Sequence, residues 1–185
     1  GSEMCIRDSS FTDYHDYLLS LQMHAEIRSF QSIYYARIAQ LTNKSNQFNL
    51  TTRRYTQNEI EQAANDKGYI TLYGKLADKF GDNGVVSVVI GAVRNGECHI
   101  DLWIMSCRVL KRDMEFAMMD SLVKTCKERK ISIIRGHYYP TAKNAMVRDF
   151  YQGMGFEKAS EDAEGNSEWT YVIPENYANK NNVIE

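Results

Sequence analysis

No apolar run in the 185 residues comes near the roughly 18 needed to span a bilayer, so no membrane-spanning helix is expected. An excess of one charge is also lacking. Lys and Arg number 22 against 24 Asp and Glu, which leaves a net charge of -2 and a pI near 6.1. That balance gives no electrostatic reason to expect nucleic acid or an anionic membrane as partner. Cys5, Cys98, Cys107 and Cys126 have no CxxC or paired-ligand spacing, which speaks against zinc, and no metal is expected. Two of these cysteines fall in strand-like stretches and one in a helical stretch, the usage of free thiols in a reducing cytoplasm. The opening GSEMCIRDSS lacks the apolar core and cleavage site of a secretory signal. Gly1 and Ser2 resemble the remnant of a tag, and residues 1–10 are set aside as a leader. There are no repeats and no low-complexity linker. A hydrophobic content of 43% and a charged content of 25% fit one ordinary globular domain with a sizeable core.

What is present is a succession of helical and strand patterns. Residues 11–23 (FTDYHDYLLSLQM) have apolar side chains at helical spacing and predict a short helix. HAEIRSF predicts a strand, and IYYARIAQLTNKSNQF a helix with Ile33, Ile38 and Leu41 turned inward. Thr56 and Glu59 form a capping box that starts a helix running to about Lys67, with Gly68 in the left-handed position after it. GYITLYGKLA and VVSVVIGAVR are rich in β-branched residues and Tyr, as strands are. Asn95-Gly96 predicts a type I′ hairpin joining antiparallel strands at about 85–93 and 98–105. DMEFAMMDSLVKTCKERK predicts a helix whose apolar face holds Phe116, Met118, Met119, Leu122, Val123 and Cys126, with a basic last turn that suits the helix dipole. ISIIRGHYY predicts a strand, TAKNAMVRDFYQGMGF a helix ending at Gly155, and EWTYVI a final strand. The polar residues 176–185 are expected to fray. This order gives an α+β domain with a mostly antiparallel sheet that turns locally parallel around the central helix.

NAMVRDFYQGMGF resembles a helix pattern of the GCN5-related N-acetyltransferases (GNAT), with Asn144, Val147, Phe150, Tyr151, Gly155 and Phe156 at matching places. MSCRVLKRD stands where that family has its R/Q-x-x-G-x-G/A turn, and the order of elements is similar to the GNAT layout. The resemblance implies a sheet flanked by helices with a splayed central strand pair. It also implies coenzyme A or acyl-CoA as ligand, with the pyrophosphate on the helix N-terminus and Tyr151 protonating the leaving thiolate. RIAQLTNKSNQFNLTTRRYT, FGDNGVVSVVIG, IDLWIMSCRVLKR and YYPTAKNAMVRDFYQGMGF further resemble the C-terminal GNAT-like region of FkbH-type proteins. In those proteins a haloacid-dehalogenase-like domain comes first. The family is linked to loading a glyceryl unit from a phosphorylated glycerate onto an acyl carrier protein, in polyketide-type biosynthesis. On this reading residues 11–23 are a connector helix, 24–175 the GNAT-like domain and 176–185 a tail. The chain has no Asp-x-Asp-x-Thr nucleophile segment, so it reads as the C-terminal half without its upstream domain, and phosphatase-type chemistry is not carried over.

The segment MSCRVLKRDME joins a strand to a helix, where unpaired amides and the positive end of the dipole favour an anion. FkbH-type relatives usually read RVLGRG here, whereas this chain has Lys111 and Asp113 at the glycine places. Lys111 offers an ammonium to a phosphate, but the Asp113 carboxylate opposes one, and Arg108 and Arg112 partly offset it. The readings are a working cradle, a weakened one or a plain helix start, and a degraded cradle is expected. The ligand-binding set is then Met105, Cys107, Arg108, Val109, Lys111, Arg112, Asp113, Asn144 and Tyr151, taking coenzyme A or the phosphopantetheine of a carrier protein. Tyr151 is a candidate general acid or a packed helix aromatic. Asp101, a carboxylate inside a strand, is a candidate general base or the partner of an Arg. Cys107 is a candidate acyl-holding nucleophile or a small buried thiol. Asn46, Gln47, Phe48, Asn49, Arg53 and Arg54 form the expected acceptor side, or a loop tied down by its own side chains. His137, Tyr138 and Tyr139 form the other wall, with His137 able to shuttle a proton. Function therefore divides between an acyltransferase, with the thioester held between strands near Met105 and His137, and a non-catalytic carrier-docking module. A ligand-free domain of the same shape is the third reading.

Overall fold

The computed structural model describes residues 12–185. The hairpin at Asn95-Gly96 organises the sheet: both residues have positive φ (53° and 75°), as a type I′ turn requires. It joins β3 (Gly81–Arg94) to β4 (Glu97–Met105), paired antiparallel from Arg94↔Glu97 to Ser87↔Met105. Upstream lie α1 (residues 12–20), β1 (His24–Arg28), α2 (Tyr35–Lys44), α3 (Gln57–Asn65) and β2 (Tyr69–Asp78). Downstream lie α4 (Met114–Glu128), β5 (Ile133–Tyr138), α5 (Phe150–Gly153), β6 (Glu157–Glu161) and β7 (Ser167–Val172). The seven strands form one sheet in the order β1-β2-β3-β4-β5-β7-β6. The pair β4–β5 is parallel and the others are antiparallel.

Each face of the sheet buries its own core. One contains Met114, Met118, Leu122 and Cys126 of α4 with Ile100, Trp103, Ile134, Tyr151 and Trp169. The other packs Ile38 and Leu41 of α2 and Ile60 of α3 on Tyr73, Val88, Ile90, Leu102 and Ile104. The capping box forms at α3: Thr56 Oγ1 accepts from the Glu59 amide (3.1 Å), and Glu59 Oε1 accepts from the Thr56 amide (3.0 Å).

Four local expectations are corrected. Ile33 is 77% exposed, because Ser32–Tyr34 is a 3-10 turn and the α-helical frame starts only at Tyr35. Gly68 is not left-handed; α3 stops at Asn65, and the Gly68 amide donates to Asp66 Oδ1 (2.8 Å). The stretch 141–156 is not one helix but a 3-10 turn at Ala145–Val147 followed by the short α5, since Asn144 draws the local backbone into side-chain hydrogen bonds. Gly155 does end it with a φ of 93°. The tail is not frayed: Val183 and Ile184 are buried, the Ala25 amide donates to the Glu185 carbonyl (2.7 Å), and the Glu185 amide donates to the Met23 carbonyl (3.0 Å). Leu18, Leu21 and Met23 at the end of the supposed connector sit in the α4-side core. The leader, residues 1–10, lies outside the described residues.

Candidate functional site

The strands β4 and β5 pair only at Cys98↔Ile134 and His99↔Arg135 and then part. A register shift explains the parting. Ile90 pairs with Leu102 and Gly91 with Ile100, so Asp101 is an extra residue in β4. Such a bulge bends its strand away from a neighbour. The splayed pair expected from the sequence is therefore present, but the space between the strands is filled from within the chain. Asn49 bridges antiparallel to Ile104. The Met105 amide donates to Phe48 O (3.1 Å), the Leu50 amide to Trp103 O (3.2 Å) and the Tyr139 amide to Leu50 O (2.9 Å). A thioester arm expected between Met105 and His137 finds that track taken by residues 48–50.

The open volume lies just beyond, at the mouth of the splay. A cleft of about 620 Å³ is lined by Lys44, Asn46, Gln47, Phe48, Met105, Cys107, Leu110 and Lys143, together with Ser45 and Ala142. Phe48, Met105 and Leu110 give it an apolar floor, and Lys44 and Lys143 are exposed at its rim. Cys107 is exposed in a 3-10 turn, Cys107–Val109, that follows β4 directly. Of the expected residues, Asn46, Gln47, Phe48, Met105 and Cys107 meet here. Lys44, Leu110 and Lys143 were missed by the sequence reading, because surface lysines and a lone Leu have no pattern until two distant loops meet.

The turn that follows keeps a glycine backbone without glycines. Lys111 and Asp113 have φ of 64° and 66°, the left-handed region where Cβ is crowded. Asp113 is the N-cap of α4 without a side-chain cap hydrogen bond, and burial raises its carboxyl above the usual range. Glu115, in the first helical turn, is raised by burial as well, and its Oε2 is buried without a partner among the described residues. From α1, the Tyr14 hydroxyl donates to the Lys111 carbonyl. Arg112 is committed to Asp78 (2.9 Å), and Arg108, itself exposed, donates to the Asn83 carbonyl (3.2 Å). Val109 is fully buried. Two carboxylates at the helix start and a covering tyrosine thus oppose a diphosphate on this turn.

The other expected residues are placed elsewhere. Tyr151 is fully buried, donates its hydroxyl to the His137 carbonyl (3.3 Å) and does not line the cleft; burial pushes its phenol well up. Its ring packs flat over Gly136, where any Cβ would stand 2.6 Å from ring carbon Cε1. Asn144 is a clamp. Its amide donates to Asn49 O (2.9 Å) and Tyr139 O (3.0 Å), and its Oδ1 accepts from the Thr141 amide (2.7 Å). Asp101 is 6% exposed and paired with Arg94 (2.9 Å) and Arg53 (3.6 Å), at a separate hollow of about 290 Å³. Asn49 bonds Ser45 O and the Thr52 amide, while Arg54 holds Thr42 O (2.8 Å) and the Asn46 side chain. The dense polar segment at 46–54 is largely a tied-down loop.

His137 and Tyr139 border a third hollow of about 360 Å³, with Glu161, Asp162, Asn166 and Glu168. Behind it His137 Nε2 lies 3.1 Å from His99 Nδ1, the two rings meeting head-on with their planes 18° apart. The sequence reading did not single out His99 or Glu168; the alternation of CHIDLWI places His99 on the face away from Cys98, but only the sheet order shows what it meets.

No family profile and no curated protein matches the chain. Solved structures do. Ard1 from Thermoplasma volcanium superposes with a TM-score of 0.62 at 19% identity, covering 82% of this chain and 99% of its own. An acetyltransferase of the GNAT family from Staphylococcus aureus gives 0.61 at 13%, covering 81% and 99%. PaiA N-acetyltransferase from Thermoplasma acidophilum, solved in complex with coenzyme A, gives 0.57 at 13%, covering 80% and 98%. The chain has the GNAT fold.

Proposed function

We propose that this GNAT-fold domain binds the pantetheine arm of an acyl thioester in the cleft at the mouth of the β4/β5 splay and passes its acyl group on. The observation that carries the reading is the cleft itself: an apolar floor of Phe48, Met105 and Leu110, two rim lysines, and the Cys107 thiol on its wall. An arm with amide and alkyl segments matches the mixed lining, and its phosphate matches Lys44 or Lys143. Among the three side chains expected to do chemistry, Cys107 lines this cleft, whereas Tyr151 and Asp101 are engaged elsewhere. In the transfer step Cys107 Sγ attacks the thioester carbonyl. The new C–S bond forms as the bond to pantetheine sulfur breaks, and the thiol proton ends on the departing pantetheine thiolate.

A carrier-borne arm suits the site better than coenzyme A. The former carries one phosphate, while the latter brings a diphosphate to a turn held by Asp113, Glu115 and Tyr14. With it comes the FkbH-type setting: an acyl carrier protein as partner, an upstream haloacid-dehalogenase-like domain, and a cytoplasmic, polyketide-type context. That setting rests on the motifs quoted above. The second reading, a docking module without transfer, is favoured by the Tyr151 hydroxyl being turned to a backbone carbonyl.

Calorimetric titration with acetyl-CoA, and then with a phosphopantetheinylated carrier protein, tests the assignment. Carrier binding should exceed acetyl-CoA binding by at least about tenfold. Lys44→Ala/Lys143→Ala should weaken it, whereas Lys111→Ala, outside the cleft, should not. An acyl mass shift on wild type that vanishes in Cys107→Ser supports transfer, and its absence with intact binding leaves the docking module. If neither ligand binds, the proposal fails.

A further inference from the structure

The pair of histidines behind the third hollow belongs to no part of the thioester reading. His99 (β4), His137 (β5) and Glu168 (β7) come from three strands of the sheet, and Glu168 lies directly across from His137 in the β5–β7 ladder. One ligand atom from each lies within 4.8 Å of the other two. All three are partly buried, and His137 and Glu168 open onto the hollow of about 360 Å³. We propose that His99 Nδ1, His137 Nε2 and the Glu168 carboxylate bind a divalent transition-metal ion of the zinc type.

The spacing of the two nitrogens is close to what such an ion needs, and the rings, which meet head-on in the ion-free chain, must turn to aim both lone pairs at it. Two nitrogens at roughly 2.0–2.1 Å from a tetrahedral ion stand roughly 3.3 Å apart, and these stand 3.1 Å apart. Two imidazoles with one carboxylate form a donor set that leaves the fourth position free for water, here facing the hollow. A second layer is present as well: His99 Nε2, the nitrogen away from the site, lies 3.9 Å from Glu97 Oε2, and Glu97 is fixed by Arg135 (2.8 Å). At that distance Glu97 acts on His99 as a nearby negative charge and not through a hydrogen bond. Of the nearby arginines, Arg135 is paired with Glu97, while Arg94 shares Asp101 with Arg53, so the Glu168 carboxylate has to supply the charge that holds a cation here. A bound ion would tie β4, β5 and β7 together beside the point where β4 and β5 part.

The test uses the full chain, stripped with a chelator and titrated with Co²⁺ and separately with Zn²⁺. One equivalent of Co²⁺ per chain should bind and produce the visible absorption of a tetrahedral site, which Zn²⁺ should displace. His137→Gln and His99→Gln should each weaken binding by about tenfold or more, and Glu168→Gln should weaken it as well. Cys107→Ser should leave it unchanged, which separates this site from the exposed thiol. Zinc should raise the thermal midpoint of wild type and not that of His137→Gln, a readout that survives if a variant is somewhat less stable. Absence of binding at about 100 µM metal, or binding that persists in a His99→Gln/His137→Gln double variant, overturns the assignment. Neither outcome bears on the carrier titration, so the two proposals fail separately.

Discussion

Asp113→Gly should change two measurable quantities in opposite ways to most loop substitutions. Asp113 has a φ of 66°, forms no cap hydrogen bond with its side chain and is half-buried at the start of α4. A left-handed backbone costs an ordinary residue about 1–2 kcal/mol, less for Asp, and Gly does not incur it. Glycine returns about 0.5–1 kcal/mol of that as extra freedom in the unfolded chain. The net effect on stability is then about 0 to +1 kcal/mol, where glycine replacements usually destabilise. For binding, a carboxylate about 6 Å from a phosphate repels it by about 1 kcal/mol at an effective dielectric of ~50, or about fivefold in Kd. The first titrant is acetyl-CoA, because its diphosphate is what the turn would have to accept. Asp113→Gly should bind it about fivefold more tightly, with an unfolding midpoint in urea no lower than wild type. The gain should shrink in added salt, since it is electrostatic. A variant that is stable yet no tighter for acetyl-CoA would refute the idea that this carboxylate spoils an anion cradle. In that case the turn is simply how α4 begins.

Other consequences are as direct. Thr56→Ala removes a reciprocal cap and should cost about 1 kcal/mol, or about 2–4 °C in Tm by calorimetry. Gly136→Ala forces a methyl to within 2.6 Å of the Tyr151 ring, and should cost about 1–3 kcal/mol by urea unfolding. Tyr151→Phe loses only the bond to the His137 carbonyl, about 0.5–1.5 kcal/mol, and should leave acyl transfer within about twofold by a mass-based assay. The hydrogen bond from Arg135 holds the Glu97 carboxyl below its usual range. Stability from that pair is present above the unfolded carboxylate pKa and is lost as pH falls through the lower folded one. The urea midpoint should therefore fall on acidification below the carboxylate range, and Arg135→Gln should flatten that fall.

Much of the architecture is local and was legible in order. The Asn95-Gly96 turn needs two positive φ values that few other pairs accept, so it fixed a hairpin and, with it, the central pairing of β3 and β4. The Thr56/Glu59 box and the apolar face of α4 act within one turn of helix or one heptad, and both were found where expected. Where competition between local options decides, the pattern misled: Asn144 broke the expected helix at 141–156 because its side chain offers the backbone other partners. A helix-shaped motif also suggested that Tyr151 and Asn144 face a ligand. Whether they do depends on which side of α5 the sheet lies, and they face inward.

The candidate sites were decided by contacts across long stretches of sequence. Lys44, Cys107 and Lys143 share a cleft because the α2 loop and the loop after β5 meet at the end of β4. His99, His137 and Glu168 converge because the sheet order places β7 beside β5 and β5 beside β4, an order set by the crossover through α4. Sequence by itself determined most of the elements, the hairpin and the fold class, since periodicity, caps and turn residues act over a few positions. Tertiary structure alone decided that residues 48–50 fill the splay and that Asp101 is the bulge which opens it. Backbone amides and carbonyls pair the same way whatever their side chains, so no residue pattern announces which distant segment will satisfy them.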